Sequence, residues 1–101
     1  MILKDLNGRK VHISVYLSDD AEISKLNKEY RGKDYATDVL SFNIKETMED
    51  GTYYLGDVIV NTQQAERQAS EFGNNVEQEI SELAGHGILH LLGVHHDGDD
   101  H

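Results

Sequence analysis

The 101-residue sequence contains no cysteine, no proline and no tryptophan. Without cysteine there is no disulfide, no thiolate zinc site and no cysteine nucleophile, a composition that suits a reducing compartment. No apolar run approaches the ~20 residues that a bilayer span requires. The segment Met1-Ile2-Leu3-Lys4-Asp5 also lacks the apolar stretch of a signal peptide. The expectation is one soluble, cytoplasmic domain over residues 1–101 with no membrane partner. Positive charge is scarce as well. Residues 46–101 hold Arg67 alone against twelve acids, whereas residues 1–45 hold eight Lys/Arg and seven Asp/Glu, for a net charge of −10. That balance argues against indiscriminate binding to nucleic acid, which needs basic side chains to neutralise phosphates. Any RNA contact has to use the small cluster Lys25, Lys28, Arg31 and Lys33, or a metal. The competing reading of that cluster is a solvated helix face.

What is present reads as an ordered α+β chain, 38% hydrophobic and 28% charged. Val11, Ile13, Val15 and Leu17 alternate with polar residues and predict a strand with one buried face. Ser18-Asp19-Asp20 can cap a helix carrying Ile23, Leu26 and Tyr30 at helical spacing, and Gly32 can end it. A second strand is expected over residues 39–44, then a polar stretch over 45–52 with a turn at Glu49-Asp50-Gly51. A third strand over 55–60 leads to a helix capped by Asn61 or Thr62 and running to Phe72. Gly73-Asn74-Asn75 breaks the chain before a longer helix over about 76–92, where Val76, Ile80, Leu83, Gly87 and Leu91 share one face. The predicted order is strand, helix, strand, strand, helix, helix: a small mixed sheet packed against helices.

Four of the six histidines fall within residues 86–97. His86 and His90 are four apart, so on a helix they project from one face a turn apart. Gly93 lets the chain leave the helix and fold back, and His96 can then supply a third ligand. Three neutral imidazoles around one Zn²⁺, with water in the fourth position, form the ligand set of a catalytic zinc site. The expectation is a zincin-like three-His site at the end of a central helix. A buried, hydrogen-bonded histidine is the alternative for each residue taken singly. Two polar rings among Ile88, Leu89, Leu91 and Leu92 would each then need a partner. The spacing His-x-x-x-His-x-x-Gly-x-x-His is that of the metzincin proteases, but those place a glutamate base directly after the first histidine. Gly87 stands there instead, so peptidase chemistry is disfavoured.

The stretch His86-Gly87-Ile88-Leu89-His90-Leu91-Leu92-Gly93-Val94-His95-His96 resembles the signature of the YbeY-type endoribonucleases, His-Gly-x-Leu-His-Leu-x-Gly-Tyr-Asp-His. It departs from it at Val94 and His95. A second block, from Asn27 to Phe42, resembles Asn-x-x-(Tyr/Phe)-Arg-x-x-Asp-x-x-Thr-Asp-Val-Leu-Ser-Phe of that family. A third, Leu55-Gly56-Asp57-Val58-Ile59-Val60 leading to Ala65-Glu66, is similar to its Leu-Gly-Asp-Ile strand and helix. Family members usually carry a helical segment before the first strand and often a helix after the histidine motif. Only about ten residues precede Val11 here.

The resemblance implies zinc ligands at His86, His90 and His96 and a functional arginine at Arg31. It also implies metal-dependent cleavage of single-stranded RNA, in maturation of the small-subunit ribosomal RNA 3′ end and ribosome quality control. Partners would be the small ribosomal subunit or its associated proteins. Arg31 suits bidentate contact with a phosphate. Lys33, Thr37 and Ser41 are candidate substrate contacts, the last two with a structural role as strand-edge residues as the alternative. Asp57 is a candidate carboxylate for orienting a ligand histidine, or an edge residue. His95 stands where the family has Asp, which suggests an outer or solvent-facing position. Neither the general base nor the attacking oxygen, from water or the RNA 2′-hydroxyl, is identified. Two other readings remain open: a zinc hydrolase of a small molecule or peptide, and a non-catalytic, ribosome-associated metal-binding module.

Overall fold

A computed structural model describes residues 2–4 and 10–93. The elements run β1 (Ile2–Lys4), β2 (Lys10–Ser18), α1 (Asp20–Arg31), β3 (Val39–Thr47), β4 (Tyr53–Asn61), α2 (Thr62–Phe72) and α3 (Val76–Leu91). The sheet order is β1-β2-β4-β3, with β2 and β4 parallel and the other two pairings antiparallel. The α+β mixed sheet predicted above is therefore present, with an additional first strand that has no polar/apolar alternation to announce it.

Each helix starts where the caps predict. Asp19 accepts from Glu22 N at 2.9 Å and opens α1. Gly32, at φ 69°, closes it with its N–H on Asn27 and Lys28 carbonyls. Of the two candidates for α2, Asn61 is the cap, its Oδ1 accepting from Gln63 and Gln64 N. The Thr62 hydroxyl instead donates to Ser18 O at 2.9 Å, tying the end of β2 to the start of α2. Asn75 and Gln78 form a reciprocal capping box at the head of α3.

Strand alternation divides the packing into two layers. Val58 and Ser41 face α3, whose Gly87 lies against both. Asp57, Ile59 and Phe42 face the other way, toward Leu26 and Tyr30 of α1. The sheet is thus flanked by α1 on one face and by α2 and α3 on the other. The main core, including Val11, Ile13, Val58, Val60, Ala65 and Leu83, lies on the α2–α3 side. Full burial of such aliphatic side chains is worth about 1.5–3 kcal/mol each.

Four expectations need correction. The buried face of β2 holds only for Val11 and Ile13, while Val15 and Leu17 are 39% and 62% exposed; the hydrophobic core ends before reaching them. On α1 the residues that bury are Ile23 and Asn27, not Tyr30. Strand β3 continues through the predicted polar stretch to Thr47. Pairing is interrupted between Asn43 and Glu46, where Lys45 takes a left-handed φ of 57°, and resumes at Glu46↔Tyr54. Thr37 lies in the α1–β3 loop rather than on a strand edge.

Candidate active site

Helix α3 meets the sheet through its backbone. A Cβ at Gly87 would lie 2.6 Å from Val58 Cγ1 and 3.0 Å from Ser41 Oγ. Leu83, Gly87 and Leu91 are buried at four-residue intervals. His86 and His90 each stand one position earlier, on a flank of the helix one turn apart. His86 is exposed and His90 half-buried. The missing glutamate now has a packing reason. Position 87 points into the sheet, where even a methyl group has no room, so it cannot present a base to solvent.

Arg31, the last residue of α1, reaches around the sheet to its β3 edge. Its Nη2 donates to Ser41 O at 3.2 Å, and the Ser41 hydroxyl in turn donates to Gly87 O at 3.4 Å. A continuous chain of contacts thus joins Arg31 to the residue beside His86. Ser41 is itself buried. Thr37 Oγ1 donates to Asp38 Oδ1 at 3.4 Å. Lys33 is exposed in the same loop, its backbone N–H on Asn27 O at 3.3 Å. Two buried asparagines pin this loop. Asn27 Nδ2 donates to Tyr35 O at 3.0 Å, and Asn61 Nδ2 donates to Thr37 O at 3.1 Å. A polar residue on the apolar face of α1 was the sequence signal for the first of them.

Among the described residues Asp57 makes no hydrogen bond to His86 or His90. It faces away from α3 and accepts a hydrogen bond from the Tyr54 hydroxyl. Tyr54 also contacts Ser14 Oγ at 3.0 Å, and His12 Nε2 lies 3.1 Å from the same oxygen. Desolvation first, and then the Asp57 contact, push the Tyr54 phenol up to about 12. This polar ladder was not legible in the sequence, where its members look like the solvated positions of two strands.

Among the described residues no three of His, Cys, Asp and Glu are grouped as metal ligands. The predicted third ligand His96, and its neighbour His95, lie outside the described residues.

A sequence model of the family described as Endoribonuclease YbeY matches residues 2–101. The chain belongs to this family. A relative named Endoribonuclease YbeY from Aquifex aeolicus is 50% identical over 97 residues, covering 96% of this chain and 64% of the relative. Another of that name, from a Sulfurihydrogenibium species, is 46% identical over 99 residues, covering 98% of this chain and 65% of the relative. This chain therefore spans just under two thirds of the length of these relatives. The solution structure of a Thermotoga maritima protein superposes with a TM-score of 0.60 at 40% identity, over 89% of this chain and 57% of the other.

Proposed function

We propose that this chain is a metal-dependent endoribonuclease acting on single-stranded RNA, with one Zn²⁺ held by His86, His90 and His96. The family membership supports the reaction class, and the chain of contacts from Arg31 through Ser41 to Gly87 is the observation that carries the site. It ties a side chain suited to a phosphate fork to the helix that bears two histidines. The donor set fits the ion. Imidazole nitrogens one helical turn apart are ordinary zinc ligands, and a third from beyond Gly93 leaves a coordination position for water. When bound, zinc supplies Lewis acidity and a water whose pKa falls toward ~7.

The rest of the work belongs to the chain. The Arg31 guanidinium grips a phosphate and offsets charge that develops on it. Its anchor on the Ser41 carbonyl holds it at the sheet edge, and the backbone contact at Gly87 fixes the histidine helix against the same strand. Lys33 and Thr37, on the loop that Asn27 and Asn61 pin, contact the RNA beyond Arg31. The substrate is ribosomal RNA, at the 3′ end of the small-subunit molecule and in ribosome quality control, in the cytoplasm. With a net charge of −10, targeting falls to the small subunit or its proteins rather than to naked RNA.

Incubating the purified protein with labelled single-stranded and duplex RNA, with and without a chelator, tests this. Cleavage of the single strand alone, abolished by chelator and restored by Zn²⁺, is expected. Zinc-dependent hydrolysis of a peptide or small ester without RNA cleavage would instead select the other hydrolase reading. Zinc binding with no turnover of any substrate would select the non-catalytic one.

A further inference from the structure

On the sheet face away from the histidines, a groove of about 360 Å³ opens between α1 and the strands. Its volume falls within the range of small-ligand sites. Its lining is chemically divided. Tyr30 and Phe42 meet edge to face with ring centroids 5.3 Å apart, and Leu26 and Ile59 complete the apolar part. Asp57 and Asn43 supply the polar end. Tyr30 is 63% exposed although its ring is backed by Phe42, so one face is open to a partner. The groove starts beside the Arg31 contact, because Tyr30 precedes Arg31 and Phe42 follows Ser41.

We propose that this groove is a nucleobase subsite in which an unpaired guanine of the RNA stacks on Tyr30 and presents its Watson–Crick edge to Asp57. The inference rests on the endoribonuclease reading above and extends it to base preference. Stacking on an aromatic ring is the general way proteins hold unpaired bases, because it asks only for an exposed face. Selectivity comes from the polar end. The Tyr54 hydroxyl donates to Asp57 Oδ1 and fixes the carboxylate. A carboxylate accepts hydrogen bonds and donates none. Guanine offers two adjacent donors, N1–H and the 2-amino group, where adenine and cytosine offer one amino group and uracil one ring N–H. The phosphate on one side of that nucleotide then falls to Arg31, so a strand crosses the β3 edge between its phosphate and base contacts.

The test uses metal-free protein and short unpaired RNA, so that binding is read without turnover. Fluorescence anisotropy compares oligonucleotides that differ at one position in carrying guanine, inosine or uracil. A parallel series carries 2-aminopurine, whose fluorescence falls on stacking. Guanine is expected to bind about tenfold tighter than uracil, with inosine between, and Tyr30→Leu is expected to weaken binding about tenfold. The 2-aminopurine quenching should vanish in Tyr30→Leu and persist in Tyr30→Phe. Asp57→Asn should erase the guanine preference. Parent-like affinity and quenching in Tyr30→Leu, or equal binding of all bases by the parent protein, would overturn the subsite. The zinc-loaded protein assayed on the same oligonucleotides separates the two claims. Cleavage with no base preference in binding overturns the subsite alone. Guanine-selective binding without cleavage overturns the nuclease reading and leaves the subsite standing.

Discussion

Two glycines of α3, two residues apart, should respond in opposite directions to the same substitution. At Gly85 nothing lies within 4 Å of where an alanine methyl would stand, so the substitution adds helix propensity at no steric cost. The gain for replacing glycine in a helix interior is about 1 kcal/mol. At Gly87 the same gain is opposed. The new Cβ would sit 2.6 Å from Val58 Cγ1, and Val58 is fully buried with a β-branched side chain that has little freedom to turn. Overpacking of this kind costs about 1–3 kcal/mol. Displacing α3 also strains the Ser41 hydroxyl contact with Gly87 O, worth about 1 kcal/mol. The net expectation is a loss of about 1–3 kcal/mol for Gly87→Ala against a gain of up to about 1 kcal/mol for Gly85→Ala. Urea unfolding followed by circular dichroism reads both, and with slopes of about 1–3 kcal/mol per molar the midpoints should separate by about 1 M. If Gly87→Ala proved as stable as Gly85→Ala, the backbone seating of α3 on the sheet would be refuted.

Arg31→Ala should lower RNA cleavage by about 10²–10³ with zinc content and thermal unfolding unchanged, and Arg31→Lys should also be impaired because the planar fork is lost. Of the adjacent pair, His96→Ala should lose bound zinc and His95→Ala should retain it, as measured by elemental analysis; the reverse pattern would overturn the ligand register. The Asp20 carboxyl is held down to about 2 from its ordinary 3.8, chiefly by its hydrogen bonds to Arg67 and then by Asn61. Because the folded value is the lower one, the unfolded chain takes up the proton first, so this stabilisation is complete above about pH 4 and fades between about pH 4 and 2. In Asp20→Asn the acid side of the stability curve should be flatter over that interval. Asn75→Ala removes one half of the α3 capping box and should cost about 1 kcal/mol in thermal or urea unfolding.

Helix ends were the most legible part of the sequence, because a cap is a local device. Asp19, Asn61, Asn75, Gly32 and Gly73 do what their side chains or lack of one favour wherever they stand. Strand ends were less so. β3 runs past Ile44 because Tyr53 and Tyr54 of β4 supply partners for Thr47 and Glu46, a fact of pairing that Lys45-Glu46-Thr47 cannot carry alone. The exposure of Val15 and Leu17 depends on how far the core extends, which alternation within β2 does not encode. The histidine pair was readable as a pair because both residues sit on one helix. The link from Arg31 to Gly87 was not, since it passes through a backbone carbonyl and a buried hydroxyl from distant positions. The face that Asp57 takes was equally hidden: one step of strand register puts it opposite α3, beside Leu26 and Tyr30 of α1.

The placement of α1 opposite α2 and α3 also sorts the charges of the molecule. The exposed acids Glu66, Glu71, Glu77 and Glu82 lie on α2 and α3, and Arg67, the sole base of residues 46–101, is engaged with Asp20 at 2.7 Å. Lys25, Lys28 and Lys33 belong to α1 and the loop after it, beside acids that roughly match them. Among the described residues, the sheet therefore separates a nearly neutral helical layer from an anionic one, a charge moment directed across the layers. A polyanion approaching at low salt feels a torque before it feels a contact, and rotates the neutral side with Arg31 and the Tyr30 groove toward itself. Screening shortens the reach of that torque to about 10 Å at 0.1 M salt. Added salt then costs the encounter its orientation while easing the repulsion that a net charge of −10 imposes.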